Sequence, residues 1–259
     1  TVGIPDRAPA SLRWLPGYNE IVTYEYHKEQ LERLLGECEY LVIVDLSHPD
    51  RMGDMASLLE NYQGQVILID HHPSQGEFAN ESYIDIGYGS TSEMIFHFIA
   101  ALDKKKYVTE DAATSLLTGI ITDTLGFKVA SSYPEVFQAT MELMALGANK
   151  DRIFDQVYNQ QSENRFRLLG FSLASRMNIY PDAQAACIYL SQSDLESFDH
   201  KKGDTDGFVN YPLSIKDIRF SILFTEQKDQ IKLSLRSVGD FDVNLLARQY
   251  FHGGGHCLF

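Results

Sequence analysis

Little in this sequence would anchor, staple or coat it. Among 259 residues there are three cysteines, Cys38, Cys187 and Cys257, scattered and without the spacing of a disulfide framework. No apolar run approaches the roughly 20 residues that cross a bilayer. Thr1 to Pro16 lacks the basic-then-apolar order of a secretory signal. A reducing cytoplasm suits that usage. There is no internal repeat, no low-complexity tract and no glycine-rich loop of the P-loop kind. Positive charge is also scarce: 22 Lys and Arg stand against 36 Asp and Glu, a formal net charge of −14. Such a surface repels a polyanion and argues against a broad basic track for long duplex nucleic acid. Short anionic substrates stay open, because carboxylates that bind cations reverse the local field.

What is present is ordinary globular material, 44% hydrophobic and 22% charged, long enough for two modest cores. Leu41 to Asp45 and Val66 to Asp70 are short apolar runs rich in β-formers, the pattern of strands buried on both faces of a parallel sheet. Helical segments are expected over Met55–Tyr62, Ser92–Leu102, Asp111–Thr122 and Glu135–Leu146. Strands alternating with helices predict a doubly wound, mainly parallel α/β domain over residues 1–158, with ligands beyond the carboxyl ends of the strands. Phe166, Leu169, Leu173 and Met177 recur at helical spacing and predict a linker helix over 159–178. Pro181-Asp182 breaks it. Ala185–Leu190, Ile218–Phe224 and Gln230–Arg236 then read as strands of a smaller α+β domain over 179–259, with His200–Gly207 as a surface loop.

The strongest local signal for chemistry is Asp70-His71-His72, directly after a predicted strand. Imidazole and carboxylate together suit Mn²⁺, Zn²⁺ or Fe²⁺, and a neighbouring carboxylate can orient a metal-bound imidazole. Asp45 and Asp123 add carboxylates at two other element ends. Taken alone, each has a plain structural explanation: a polar loop for the two histidines, a strand-ending bend for Asp45, a cap on the following turn for Asp123.

The ordered set is more specific. Val44-Asp45-Leu46-Ser47, Arg51-Met52-Gly53-Asp54, Asp70-His71-His72, Ser90-Thr91-Ser92-Glu93 and Gly119 to Phe127 resemble successive motifs of the DHH phosphoesterases. Gly207 to Leu213, Leu235-Arg236-Ser237 and Phe251 to His256 resemble the substrate-binding domain associated with them. Within the superfamily the match is nearest to the branch of short-oligoribonucleotide hydrolases that also dephosphorylate 3′-phosphoadenosine 5′-phosphate.

The resemblance implies two divalent ions, usually manganese, with Asp45, His71 and Asp123 as ligands. Asp70 is expected to orient a ligand or neighbouring backbone, and His72 to hydrogen-bond the phosphate or assist the leaving oxygen. Arg236, Ser237, Gly253, Gly254, Gly255 and His256 are expected to form a substrate clamp. Arg236 supplies a planar fork for phosphate and the glycines allow close backbone approach. The partners so implied are short RNA oligomers or nucleoside bisphosphates, with no membrane; a homodimer is compatible, although no apolar stripe specifies an interface.

One family motif is not found. The pattern H-x-x-x-D-x-D, which supplies ligands to both metals, lies upstream of the segment that Thr1 to Gly17 resembles, so partial or no metal occupancy is expected of this chain. The ending Cys257-Leu258-Phe259 also departs from the family. The alternatives are a phosphoesterase of the same superfamily acting on cyclic dinucleotides or polyphosphate, and a catalytically silent nucleotide-binding module.

Overall fold

The computed structural model describes residues 1–46, 48–72, 78–239, 241, 243–251 and 256–257, the side chains of 50, 244, 248, 256 and 257 excepted. The chain divides into two compact units, Thr1–Gln160 and Gln161–Phe259. No helix among the described residues is long and apolar enough to cross a membrane.

The first unit opens with a short parallel pair, β1 (Gly3–Ile4) and β2 (Val22–Thr23), followed by α1 (Tyr24–Gly36). Next come β3 (Tyr40–Val44), α2 (Ser57–Glu60), β4 (Gln65–Asp70) and β5 (Glu81–Ile84). The last three strands form an all-parallel sheet in the order β3-β4-β5, with Val44 opposite Ile69 and Asp70 opposite Ile84. Parallel registration brings the carboxyl ends of β3 and β4 to the same edge, so the residues after Val44 and Ile69 meet there. The expected helix over Met55–Tyr62 is shorter than its pattern: a 3₁₀ stretch, Pro49–Ala56, precedes the single turn of α2.

Burial on both faces holds for β4 better than for β3. Val66, Leu68 and Asp70 are buried, whereas Tyr40, Val42 and Val44 of β3 are exposed and only Ile43 is buried. Strand β3 pairs only with β4 among the described residues, and although its apolar composition predicts two-sided burial, one face is open.

Four helices complete the unit: α3 (Thr91–Ala101), α4 (Glu110–Asp123), α5 (Pro134–Ala145) and α6 (Lys150–Tyr158). Their starts follow from local chemistry. The Ser90, Thr109 and Asn149 side chains accept the backbone N–H three residues on, and Pro134 sits in the first turn of α5 where its missing N–H costs nothing. Phe96, Leu117, Ile120, Ile121, Val136 and Leu143 join in one core. Helix α4 lies close against α3, since a Cβ at Gly119 would meet Ser92 Oγ at 2.0 Å.

The second unit contains α7 (Glu163–Phe171), β6 (Met177–Tyr180), β7 (Ala185–Leu190), α8 (Gln192–Ser197), β8 (Phe220–Glu226), β9 (Ile231–Ser237), α9 (Val243–Phe251) and β10 (His256–Cys257). Its mixed sheet runs β10-β9-β8-β7-β6. The segment read as a linker is built into this unit: Leu168 is fully buried with Ile188, Leu190, Phe208 and Leu223, and Leu169, Leu173 and Met177 pack against them. After one π-helical turn, Ser172–Arg176, the chain enters β6 at Met177, so the helical period ends earlier than its apolar spacing suggests.

Candidate metal centre

Asp45, Asp70, His71 and His72 converge at the carboxyl edge of the parallel sheet, each offering a ligand atom within 4.8 Å of the others. Asp45 follows β3 with φ of 59°, a left-handed conformation that costs a non-glycine residue energy and that clusters at functional sites. Its backbone N–H still donates to the Ile69 carbonyl at 3.0 Å, and the buried Thr91 hydroxyl, at the start of α3, donates to its Oδ1 at 2.9 Å. The turn is therefore held from the sheet and from the helix.

The two histidines do different things. His71 Nδ1 lies 3.2 Å from the Tyr88 carbonyl, which can only accept, so this nitrogen carries the proton. Its Nε2 then presents a lone pair toward Asp45 Oδ1, 3.5 Å away. Burial, followed by the neighbouring His72, lowers the His71 pKa and keeps the ring neutral. His72 is tied instead to Asp70: both its backbone N–H, at 3.0 Å, and its Nδ1, at 2.8 Å, meet Asp70 Oδ1. That hydrogen bond raises the His72 pKa. Burial alone would push the Asp70 carboxyl up, but the His72 bonds outweigh it and hold the group below the ordinary carboxylate range.

This set fits a divalent cation. A neutral imidazole lone pair facing a carboxylate oxygen at 3.5 Å is an electron-rich juxtaposition that a cation bonded to both would relieve. Asp70 Oδ2 is buried without a hydrogen-bond partner, a costly state for a carboxylate oxygen unless something positive meets it. The Tyr88 carbonyl on Nδ1 is the outer contact that usually orients a ligating histidine.

Asp123, at the last turn of α4, stands outside the four-residue group but feels it. Desolvation first, and Asp45 second, push its carboxyl up to about 7. The residue is nevertheless exposed to solvent.

Of the clamp residues, Arg236 and Ser237 end β9. Arg236 Nη1 donates to the Leu235 carbonyl at 2.8 Å, and the fully buried Ser237 donates its hydroxyl to the Phe241 carbonyl, a structural bond. His256 pairs with Arg236 in the β10–β9 ladder, which puts the two backbones side by side; its side chain and Gly253, Gly254 and Gly255 lie outside the described residues. Two participants carried no assigned role in the sequence. Thr91 sat within a quoted motif, and its place at a helix start beside Asp45 was its only signal. The Tyr88 carbonyl is a backbone group and leaves none.

Comparison with known proteins gives a consistent picture. Residues 4–120 match the model of the DHH family, N-terminal domain. The bifunctional oligoribonuclease and PAP phosphatase NrnA of Bacillus subtilis is 26% identical over 242 residues, covering 92% of this chain and 74% of that protein. The cyclic-di-AMP phosphodiesterase GdpP of the same organism is 25% identical over 260 residues, 97% of this chain but 38% of that one. A solved structure, an exopolyphosphatase-related protein from Bacteroides fragilis, superposes with a TM-score of 0.94 at 37% identity, covering 99% of this chain and 75% of that one.

Proposed function

The chain belongs to the DHH family, and from that premise we propose that it is a manganese-dependent phosphoesterase cleaving short oligoribonucleotides, 3′-phosphoadenosine 5′-phosphate or both to nucleoside monophosphates. The observation that carries the reading is the His71 Nε2 lone pair facing Asp45 Oδ1 beside the orphaned Asp70 Oδ2. The oligoribonuclease and phosphatase activities are those named for the Bacillus subtilis relative, which this chain matches over most of both lengths.

Asp45 and His71 would hold the metal, with Asp123 joining them when its carboxyl ionises. A bound divalent ion would polarise the phosphate and favour the attacking nucleophile at neutral pH. Asp70 fixes the imidazole of His72 through Nδ1 and supports its charged form. His72 can then donate a hydrogen bond or a proton to the phosphate or leaving oxygen. In the second unit, Arg236 supplies a guanidinium for a substrate phosphate. Net negative charge keeps long polyanions away, and this favours oligomers of a few nucleotides.

The test is a substrate panel with Mn²⁺ on the full-length protein: RNA of two to five nucleotides, 3′-phosphoadenosine 5′-phosphate, a cyclic dinucleotide and polyphosphate. Mononucleotide release from the first two, abolished by chelation, is expected. Turnover confined to the cyclic dinucleotide or to polyphosphate would replace the reading with one nearer to what the GdpP or exopolyphosphatase-related names describe. No turnover of any member, with nucleotide binding retained, would favour a silent module.

A further inference from the structure

Glu93, in the first turn of α3, is fully buried and takes no part in the mechanism above. Its Oε2 accepts the Tyr133 hydroxyl at 2.7 Å. The Gly89 N–H points at the same pair, donating to the Tyr133 oxygen and, at 3.3 Å, to Glu93 Oε2. That N–H belongs to the planar peptide group whose other end is the Tyr88 carbonyl, and the Tyr88 carbonyl accepts His71 Nδ1–H. The groups therefore stand in series: Glu93 carboxylate, Tyr133 hydroxyl, Tyr88–Gly89 peptide, His71 imidazole. Every donor meets an acceptor, and hydrogen bonds in series polarise one another.

The backbone is shaped to allow this. A Cβ at Gly89 would meet the Ala130 carbonyl at 2.3 Å, so only glycine lets the two segments approach. The loop that delivers Tyr133 places Leu125, Phe127 and Ala130 at positive φ, values of 49°, 66° and 45°. It is held by the buried Thr124, whose hydroxyl donates to Ile120 and accepts from the Phe127 N–H. Such backbone conformations are unfavourable and persist where the surroundings enforce them.

We propose that Glu93 and Tyr133 are positioning residues for His71: through the Tyr88–Gly89 peptide they hold the imidazole in the Nδ1–H tautomer and keep its Nε2 directed at Asp45. The consequence for metal affinity rests on His71 being a ligand, as read above.

The test uses the metal-free 259-residue chain, with nitrogen-edited imidazole spectra to read the His71 tautomer, followed by Mn²⁺ titration. In Tyr133→Phe the Nδ1–H population should fall and Mn²⁺ affinity should drop about tenfold, the lower end of what outer contacts contribute. Glu93→Gln keeps an acceptor oxygen and should fall between that variant and the unaltered chain. Tyr24→Phe, which loses a hydroxyl contact to Ser57 at 3.3 Å elsewhere in the same unit, should change neither readout. An unchanged tautomer population in Tyr133→Phe and Glu93→Gln overturns the proposal, as does loss of affinity with no tautomer change. If Tyr133→Phe does not fold, the spectrum of Glu93→Gln decides. Mn²⁺ affinity unaffected by His71→Ala would instead remove the ligand reading, and the spectra would still judge the relay.

Discussion

His71 Nε2 and Asp45 Oδ1 face each other at 3.5 Å, while the other ring nitrogen is engaged by the Tyr88 carbonyl. Two electron-rich atoms held that close by separate elements could share a divalent cation. In the full-length protein, His71→Ala and Asp45→Ala should therefore each weaken Mn²⁺ binding and lower phosphoesterase turnover by orders of magnitude, with thermal unfolding little changed. Calorimetric Mn²⁺ titration beside the rate assay checks this; near-normal binding in both variants would contradict it.

His72 is bound to Asp70 and not to the Tyr88 carbonyl, so its removal should act differently. In His72→Ala we expect metal content to persist while turnover falls about 10²–10⁴-fold, the usual range for a general acid or base. Metal loss as severe as in His71→Ala would exchange the roles of the two rings.

In the second unit, Arg176 meets Asp194 through two bonds, Nε to Oδ2 and Nη2 to Oδ1, both at 2.8 Å. The Arg176 hydrogen bond holds the Asp194 carboxyl down to about 2, against an ordinary value of 3.8. A carboxyl lowered in the folded state stabilises above its unfolded pKa and loses that contribution as pH falls through the folded one. Arg176→Met should accordingly bring acid unfolding to higher pH, with its effect fully present above about pH 4. Acid-unfolding curves that coincide for the two proteins would show that the pair does not matter to stability.

How much of this was legible in the sequence differs from residue to residue. Asp45 and Asp70 could be located because a parallel strand's carboxyl end has a local signature, an apolar run that stops at an acid. Helix starts at Ser90 and Thr109 are likewise local. The positive φ of Asp45, its bond from Thr91 and the Tyr88 carbonyl on His71 depend on segments 17 to 46 residues apart, for which no periodicity gives a sign. The π-helical turn at Ser172–Arg176 escaped for a related reason: Leu173 and Met177 pack on the second unit's core whether the backbone there is helical or extended.

Arg236→Ala should chiefly raise KM for two- to five-nucleotide RNA. The residue lies near the end of β9, in the second unit, and a charge-assisted phosphate contact contributes about 1.5–3 kcal/mol. Roughly a tenfold rise with little change in kcat is expected, and unchanged kinetics would count against the guanidinium as a phosphate contact.

Asp123 gives a pH dependence of the opposite sign to that of Asp194. Its carboxyl is pushed up to about 7 by desolvation and by Asp45, while in the unfolded chain it ionises near 3.8. Between those values the unfolded state has released the proton and the folded state retains it, so the folded state binds more protons and stability falls as pH rises through that window. Asn mimics the protonated carboxyl without titrating. Asp123→Asn should therefore unfold at the same temperature as the unaltered metal-free chain near pH 4 and at a higher one near pH 8, with the gap opening between about pH 4 and 7. Mn²⁺ should narrow or reverse the order, because it binds the ionised carboxylate and stabilises the chain that has one more than the chain that does not, releasing a proton as it does so. Melting curves at pH 4, 6 and 8, with and without Mn²⁺, read both effects. A constant difference across pH would mean that Asp123 does not carry the raised pKa, and equal stabilisation of both chains by Mn²⁺ would remove it from the ligand set.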